Sequence, residues 1–190
     1  MVAIAIVYFS GQGHTHQMAA ALAQGVEAAG GTPHLLRITG EQIVNGRWQD
    51  DSTLATLKAA DGIAFGSPTY MGGVAGQFKC FLDAASETWF HQGWKDKIAG
   101  GFTHSSSPSG DKQGTLLYLA INAAQHGMLW VGAAEMTNPE SGVNRLGSFM
   151  GVMGNSDLDM SGAAPKVDPG DLESAQRYGQ RLVTIAQKVA

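Results

Sequence analysis

Residues 2–15, VAIAIVYFSGQGHT, decide the fold class of this chain. The first eight of them form a short, almost wholly apolar run with several β-branched side chains, which is typical of a strand buried on both faces of a parallel sheet. Gly11 and Gly13 end the run. The next apolar residues recur every four positions, as on one face of a helix, at Met18, Leu22 and Val26. The chain therefore opens with a strand, a glycine turn and a helix.

The same alternation continues to the end of the chain. Short apolar runs predict further strands at residues 33–38, 63–66, 98–103 and 128–131. Apolar residues at helical spacing predict helices at residues 54–58, 74–85, 116–123 and 172–189. The last helix should start at Asp168-Pro169, because aspartate caps helices and proline suits the first helical position. This order predicts an α/β fold with a parallel sheet covered by helices on both faces, in a single domain spanning residues 1–190.

The segments between these elements lack regular periodicity. We interpret residues 39–51 as a loop, residues 67–70 as a turn and residues 87–97 as mostly irregular. Residues 133–167 are rich in Gly, Asn and Met and are too long for a bare loop, so we expect them to be functional or to cover a neighbour. Within them, Arg145 could meet the phosphate of a nicotinamide nucleotide or could be an ordinary surface arginine.

Composition excludes several classes of protein. The net charge of −4 over 190 residues argues against binding to nucleic acid or to an anionic membrane surface. The single cysteine, Cys80, excludes an internal disulfide framework, a cysteine zinc site and a protein-held iron–sulfur cluster. No apolar run approaches the roughly 18 residues of a membrane span, and the N-terminal stretch lacks the basic region of a signal peptide. We therefore expect a cytoplasmic protein.

Three loops rich in glycine and hydroxyl groups follow the first, third and fourth strands, at residues 10–15, 67–73 and 105–110. Ligands of open parallel sheets bind beyond the carboxyl ends of the strands, so these loops are the candidate site. The first loop opens a helix and is a natural anion site, although a tight turn with hydroxyl capping is an equally good interpretation. Neither the GxxxxGK[ST] nor the GxGxxG pattern is present. His14 and His16 could be a metal pair, but no third ligand is evident.

Several short motifs keep their order between residues 6 and 130. They are Val7-Tyr8-Phe9-Ser10 with Gly13-His14, Gly66-Ser67-Pro68-Thr69-Tyr70 with Gly76-Gln77-Phe78, Phe81-Leu82-Asp83, Trp89, the loop at residues 105–110, and His126-Gly127-Met128. In this combination the chain resembles the flavodoxin-like NAD(P)H:quinone oxidoreductases related to the tryptophan-repressor-binding protein and to NADPH-dependent FMN reductases. The resemblance implies a flavodoxin-like three-layer sandwich whose five-stranded parallel sheet has the order 2-1-3-4-5.

The resemblance also implies FMN as cofactor and assigns residues to it. The phosphate would be wrapped by Ser10, Gln12, Gly13, His14 and Thr15. The isoalloxazine would be bordered by Pro68, Thr69 and Tyr70, with Gly72 letting the chain turn past it. The ring and ribityl edge would meet Ser106, Ser107, Pro108, Ser109 and Gly110. His126 would stand near the pyrimidine end as a catalytic residue, and Tyr70 and Trp89 would border the substrate, with Trp89 reaching a neighbouring subunit's site.

The function that this resemblance implies is FMN-dependent transfer of two electrons, as hydride, from NADH or NADPH to a quinone or a similar small acceptor. The transfer would be ping-pong, and the protein would be a homo-oligomer, a dimer or a tetramer. Two alternatives remain open. A flavodoxin-type electron carrier would dock other proteins, although carriers need a more acidic face than −4 supplies. A regulator or scaffold that keeps the fold without a cofactor would be colourless.

Overall fold

The computed structural model describes residues 1–159 and 161–189, and its elements follow the predicted alternation. In chain order they are β1 (Ala3–Phe9), α1 (His14–Ala28), β2 (Thr32–Ile38), a 3₁₀ turn (Gly40–Gln42), β3 (Ile43–Val44), β4 (Arg47–Trp48), α2 (Asp51–Ala59), β5 (Gly62–Tyr70), β6 (Gly73–Val74), α3 (Gly76–Ala84), α4 (Ser86–Phe90), β7 (Ile98–Ser105), α5 (Lys112–Gln125), β8 (Leu129–Trp130), β9 (Val152–Asn155) and α6 (Pro169–Val189).

The main sheet is parallel and has the strand order that the resemblance implied. β1 lies between β2 and β5, and β7 follows β5. The outer position beyond β7 is shared by two short strands. β8 pairs with the first residues of β7, Ile98 and Ala99, whereas β9 pairs with its last four, Phe102–Ser105. Counted by position, the order is 2-1-3-4-5, so the predicted flavodoxin-like topology is confirmed.

Alternating side chains of the central strand face two separate cores, as expected for a strand buried on both sides. Ile4, Ile6 and Tyr8 of β1 pack in a cluster with α1 and α6. Ala5 and Val7 pack in a second cluster with α2, α3 and α5. The sheet is therefore the middle of three layers. No helix among residues 1–159 and 161–189 is long and apolar enough to cross a membrane.

The helices α1 and α6 approach each other closely through two glycines. A Cβ on Gly25 would overlap the carbonyl oxygen of Gln176, and a Cβ on Gly179 would overlap that of Leu22. Glycine is therefore required at both positions for backbone to meet backbone. This contact fixes α6, and with it the segment that leads into α6, against the start of the chain.

Two interpretations of the irregular segments were wrong in detail. Residues 67–70 continue β5 as strand because β6 pairs antiparallel with its end, so the turn lies at Met71-Gly72, where φ is 49° and 81°. Residues 39–51 include the β3–β4 hairpin, which buries Trp48 edge-on against Phe81 at 5.1 Å. The interpretation of residues 87–97 as mostly irregular is confirmed, since only residues 87–90 belong to the short helix α4.

The predicted fifth strand corresponds to β8. It fills only part of the outer position of the sheet, and β9 fills the rest. After β8 the chain leaves the sheet at residue 131 and returns at β9, which lies inside the segment 133–167. Trp130 Nε1 donates to the carbonyl of Met150 at 2.8 Å, which brings the two ends of this excursion together. The strand could not be recognised from the sequence because β9, VMGN, is four residues long and lies in a glycine-rich stretch. The excursion positions β9 so that its end joins the carboxyl edge of the sheet.

Candidate functional site

The loop between β1 and α1 folds around the hydroxyl of Ser10. Ser10 Oγ accepts hydrogen bonds from the backbone N–H groups of Gly13, at 3.1 Å, and His16, at 3.2 Å. Gly13 has a φ of 100°, a conformation that strains other residues, and a Cβ there would lie 2.7 Å from Cγ of Pro165. The serine therefore caps the helix and the glycine closes the turn.

The other N–H groups of this loop are available to a ligand. Within the described part of the chain, the N–H groups of Gly11, Gln12, His14 and Thr15 donate to no backbone carbonyl. They lie at the N-terminus of α1, where the helix dipole favours an anion. The loop contains no lysine or arginine. Such a set of neutral donors fits a phosphate group, and the nearest cationic contact of the loop is Arg37, whose Nη2 donates to the Ser10 carbonyl at 2.9 Å.

The end of β5 is tied to its neighbours by three buried hydroxyls. Thr69 Oγ1 lies 2.8 Å from Oγ1 of Thr103 on β7 and 2.8 Å from Oγ1 of Thr115 on α5. The hydroxyl of Thr69 is therefore committed to the interior, although the residue borders the cleft described below. This network ties the end of β5, where the second loop starts, to β7 and α5, which flank the third loop.

Tyr70 extends from the end of β5 across the first loop. Its hydroxyl lies 2.5 Å from where a Cβ on Gly11 would be, so only glycine leaves room for it. The side chain is 47% exposed, and partial burial raises the pKa of its phenol. The exposed face of a neutral phenol ring is suited to contact with a flat aromatic ligand.

A buried lysine organises the third loop. Lys112, the first residue of α5, is 1% exposed, and its Nζ donates to Ser105 Oγ at 2.9 Å, to the carbonyl of Ser107 at 2.8 Å and to that of Pro108 at 3.0 Å. A Cβ on Gly110 would overlap Ser105 Oγ. Burial lowers the pKa of Lys112. A lone lysine after a serine-rich loop shows no pattern that indicates burial, so this lysine is not predictable from the sequence.

Two stacked histidines line the cleft below the loops. The rings of His14 and His104 lie 4.6 Å apart and within 13° of parallel, and His104 Nε2 is 3.0 Å from Ser156 Oγ. Burial, aided by the charges of His14, Lys112 and Arg145, lowers the pKa of His104 to about 3, so its ring is neutral near pH 7. His104 was also missed, although its place at the end of the fourth strand was a usable signal.

The three loops enclose one cleft of about 820 Å³, within the range of small-molecule sites. Residue Ser156 and its neighbours 157–159 close the side opposite β5. The cleft brings together eleven residues that the resemblance assigned to FMN: Ser10, Gln12, His14, Thr15, Pro68, Thr69, Tyr70, Gly72, Ser106, Ser107 and Gly110. Gly13, Pro108 and Ser109 belong to the same loops but do not line the cleft.

A second groove of about 1050 Å³ adjoins the cleft at His14. Its outer wall is the segment at residues 162–169, which packs on the start of α1. Gln17 Nε2 donates to the carbonyl of Pro165 at 2.6 Å, and the Pro165 ring lies against Gly13. This segment therefore supports the first loop from outside.

Arg145 forms an ion pair with a buried carboxylate. Its Nε donates to Asp171 Oδ1 at 2.9 Å, and its Nη2 donates to Asp171 Oδ2 at 2.7 Å and to the carbonyl of Asn155 at 2.9 Å. Asp171 is 1% exposed. Such a fork-shaped pair is strongly oriented. The arginine therefore fixes the end of β9 to α6. It also lines a groove beside the cleft, and its contact with a nicotinamide phosphate stays a prediction.

His126 and Trp89 lie at the opposite edge of the sheet from the cleft. His126 follows α5 just before β8, whose first residue pairs with the first residue of β7. It is 6% exposed, its ring lies 4.3 Å from that of Trp94, and its Nδ1 has no partner among residues 1–159 and 161–189. Trp89 lies on α4 and is 47% exposed. The chain thus does not bring either residue to its own cleft, because parallel crossover helices return to the amino edge before the next strand starts.

Comparison with known proteins assigns the family. A family model described as NADPH-dependent FMN reductase matches residues 4–141, from β1 into the excursion after β8. The chain belongs to the NADPH-dependent FMN reductase family. The matched region contains all three loops of the cleft.

Individual relatives of this FMN reductase family member carry two kinds of name. Flavodoxin FldP of Pseudomonas aeruginosa is 39% identical over 190 residues, covering 97% of this chain and 96% of that protein. A protein of Azorhizobium caulinodans named NAD(P)H dehydrogenase (quinone) is 30% identical over 200 residues, covering 100% and 99%. The crystal structure of a flavodoxin, WrbA-like protein from Agrobacterium tumefaciens is 40% identical, covers both chains fully and has a TM-score of 0.76.

The expected cofactors agree with the family and with the donor set of the cleft. FMN carries a phosphate, which suits the neutral N–H groups of the first loop, and a flat ring, which suits the exposed face of Tyr70. No group of three or more His, Cys, Asp or Glu side chains among residues 1–159 and 161–189 could hold a metal ion.

Proposed function

We propose that this family member is an FMN-dependent NAD(P)H:quinone oxidoreductase that transfers two electrons from NADH or NADPH to a quinone or a similar small acceptor. The observation that carries the proposal is the cleft at the carboxyl edge, where two loops present N–H groups that bind no backbone acceptor. FMN, when bound, supplies the two-electron hydride chemistry. The chain's own residues bind it, orient it and leave one side open to a flat partner.

The first loop would hold the phosphate. Ser10, by capping α1 with its hydroxyl, leaves four N–H groups free, and the positive end of the helix dipole adds to their attraction for an anion. Pro165 supports Gly13 from outside, so the loop keeps its shape without a ligand. Preorganised donors bind an anion more tightly than mobile ones because less order is lost on binding.

The second and third loops would border the ring. Within the described residues, the N–H groups of Ser106, Ser107, Ser109 and Gly110 donate to no backbone carbonyl, and Tyr70 presents its exposed ring from the other side. N–H donors placed where negative charge develops stabilise that charge in reaction. We propose that nicotinamide and quinone use the same face in turn, which gives ping-pong kinetics.

A second copy of the chain would complete the substrate mouth. Trp89 and Phe90 are 47% and 74% exposed and do not line the cleft of their own chain, so they are free to contact another copy. We propose a homo-oligomer, a dimer or a tetramer, in which Trp89 borders a neighbouring subunit's site. Light scattering on the holoprotein tests the assembly, and a monomer at micromolar concentration would contradict it.

A stopped-flow experiment tests the activity. Holoprotein mixed anaerobically with NADH or with NADPH should lose its flavin absorbance, and subsequent mixing with a benzoquinone should restore it. Initial rates at varied concentrations of both substrates should give parallel reciprocal plots. Failure of both nucleotides to bleach the flavin would overturn the proposal.

An electron carrier is the second candidate, because the relative at 39% identity is named a flavodoxin. A carrier takes up electrons one at a time, so a reductive titration would show two separate steps and NAD(P)H alone would not reduce the flavin. The oxidoreductase that we propose should be reduced in one two-electron step. The titration therefore separates the two functions on the same sample.

A further inference from the structure

Lys112 occupies a position that is unfavourable for a lysine. It is 1% exposed, and it is the first residue of α5, where the helix dipole opposes a positive charge. Its ammonium group nevertheless has an acceptor for each of its three N–H bonds: Ser105 Oγ, the Ser107 carbonyl and the Pro108 carbonyl. Three donors matched by three acceptors are the pattern of a charged ammonium group.

Four carbonyl groups of the third loop are bound by donors of the protein. Besides the two carbonyls bound by Lys112 Nζ, the Ser109 carbonyl accepts from the Lys112 N–H at 3.2 Å, and the Ser105 carbonyl accepts from Asn155 Nδ2 at 3.1 Å. In a planar trans peptide the N–H points opposite to the carbonyl. The carbonyls of Ser105, Pro108 and Ser109 point toward Lys112 or Asn155. The N–H groups of Ser106, Ser109 and Gly110 lie in the same peptide units and therefore point away from those donors.

The residue order of the loop suits this arrangement. Pro108 has no N–H, so turning the Ser107 carbonyl toward Lys112 takes no donor away from the other side. Gly110 has a φ of 56°, and any Cβ there would displace Ser105 Oγ, one of the three acceptors. The loop is thus folded around the ammonium group, while Ser106, Ser107 and Gly110 line the cleft.

We propose that Lys112 is a positioning residue for the flavin site: its buried ammonium group shapes the third loop so that N–H groups face the cleft, and it places a fixed positive charge behind that loop. This inference rests on the proposed function, because it concerns how the chain holds FMN. Two-electron reduction adds negative charge to the ring. The buried positive charge of Lys112 should therefore favour reduced over oxidised FMN.

The midpoint potential of bound FMN tests the proposal in the full-length holoprotein. Lys112→Met should lower the preference for reduced over oxidised FMN by about tenfold, which for a two-electron couple corresponds to about 30 mV. Lys112→Arg keeps the charge and should restore at least half of the shift. An unchanged potential in Lys112→Met would overturn the proposal.

Lys97 supplies a matched control at the other edge of the sheet. Its Nζ also donates to backbone carbonyls, those of Lys58 at 2.9 Å and of Ala60, but at the amino edge. Lys97→Met should lower the melting temperature and leave the potential of bound FMN unchanged. A shift equal to that of Lys112→Met would show a general effect of destabilisation and would overturn the proposal.

A milder variant covers the case in which Lys112→Met does not fold. Ser105→Ala removes one acceptor of Lys112 and keeps the charge. It should weaken FMN binding about threefold, less than the roughly tenfold of one lost hydrogen bond to a charged group, because the other two acceptors of Lys112 remain, and unchanged binding would overturn the proposal. Wild-type protein that binds no FMN would overturn the proposed function and this inference together, whereas wild-type binding with unaffected variants overturns this inference alone.

Discussion

The carboxyl and amino edges of the sheet differ in which polar groups they leave without hydrogen-bond partners. At the carboxyl edge, two loops that line a cleft contain backbone N–H groups that donate to no backbone carbonyl among residues 1–159 and 161–189, and Lys112 Nζ binds two carbonyls of the third loop. At the amino edge, Trp94 and His126 are packed together, and both have a buried ring nitrogen that has no partner among the same residues. The comparison teaches that free donors at a surface make a binding site, whereas equally unpaired atoms inside a core do not.

The largest effect is expected at Gly13, on the carboxyl edge. Gly13→Ala should raise the dissociation constant of FMN about a hundredfold, because the left-handed backbone is strained by a Cβ and four N–H donors shift with it. Gly30→Ala is the matched control, since Gly30 also has a left-handed φ, of 75°, but open space around it. That control should cost about 1 kcal/mol of stability and leave FMN binding unchanged. Fluorescence titration measures the dissociation constant of FMN for both variants. Equal losses of FMN affinity in Gly13→Ala and Gly30→Ala would contradict this prediction.

The second prediction concerns His104 and acid. Because its pKa is about 3 in the folded chain and 6.5 is the ordinary value, the unfolded chain takes up the proton first as pH falls. The contribution of neutral His104 to the free energy of unfolding is fully present above pH 6.5 and is lost toward pH 3. The loss is about 2 kcal/mol between pH 7 and pH 5. His104→Asn should remove that part of the acid sensitivity in urea unfolding. Ser156→Ala, which removes only the partner hydroxyl, should keep it.

The third prediction separates the edges by their effects on folding and binding. His126→Ala should lower the free energy of unfolding by about 1.5 kcal/mol, because a buried ring packed on Trp94 is lost. The dissociation constant of FMN should stay within twofold, because His126 lies a strand length from the cleft. A tenfold loss of FMN binding in a folded variant would show that the amino edge takes part in holding the cofactor.

The smallest effect is expected for Trp89. Trp89→Ala removes an exposed ring, so stability should change by less than about 0.5 kcal/mol. FMN binding should be unchanged, but the KM for a benzoquinone should rise about threefold, because the ring would border a neighbouring subunit's substrate mouth. Steady-state kinetics on the oligomer measures this change, and an unaltered KM would remove Trp89 from the site.

The sequence predicts the layers and the loops well because both follow from local signals. The apolar run at residues 2–9 and the helical spacing after Gly13 need only neighbouring residues, and they predicted β1 and α1 correctly. The pairing of β9 with β7 depends on residues about fifty positions apart, so its four residues looked like part of a loop. Residues 67–70 read locally as a turn, yet β6 pairs with the end of that segment and makes it strand.

The site was predictable only where it is made of backbone. Glycine and serine loops after parallel strands indicate free N–H groups, and eleven of the assigned residues meet in one cleft. Lys112 and Arg145 act through burial and through partners distant in sequence, which local pattern does not encode. The assignment of His126 to the flavin rests on resemblance alone. The place of a residue within a sequence motif does not indicate which edge of the sheet that residue occupies.

Amide hydrogen exchange of the full chain with and without FMN tests the central claim most directly. The account predicts that FMN slows exchange at Gly11–Thr15 and at Ser106–Gly110 and leaves the amides around Trp94 and His126 within twofold of their rates without FMN. Protection confined to the amino edge, or no protection at the two loops while FMN is bound, would contradict it.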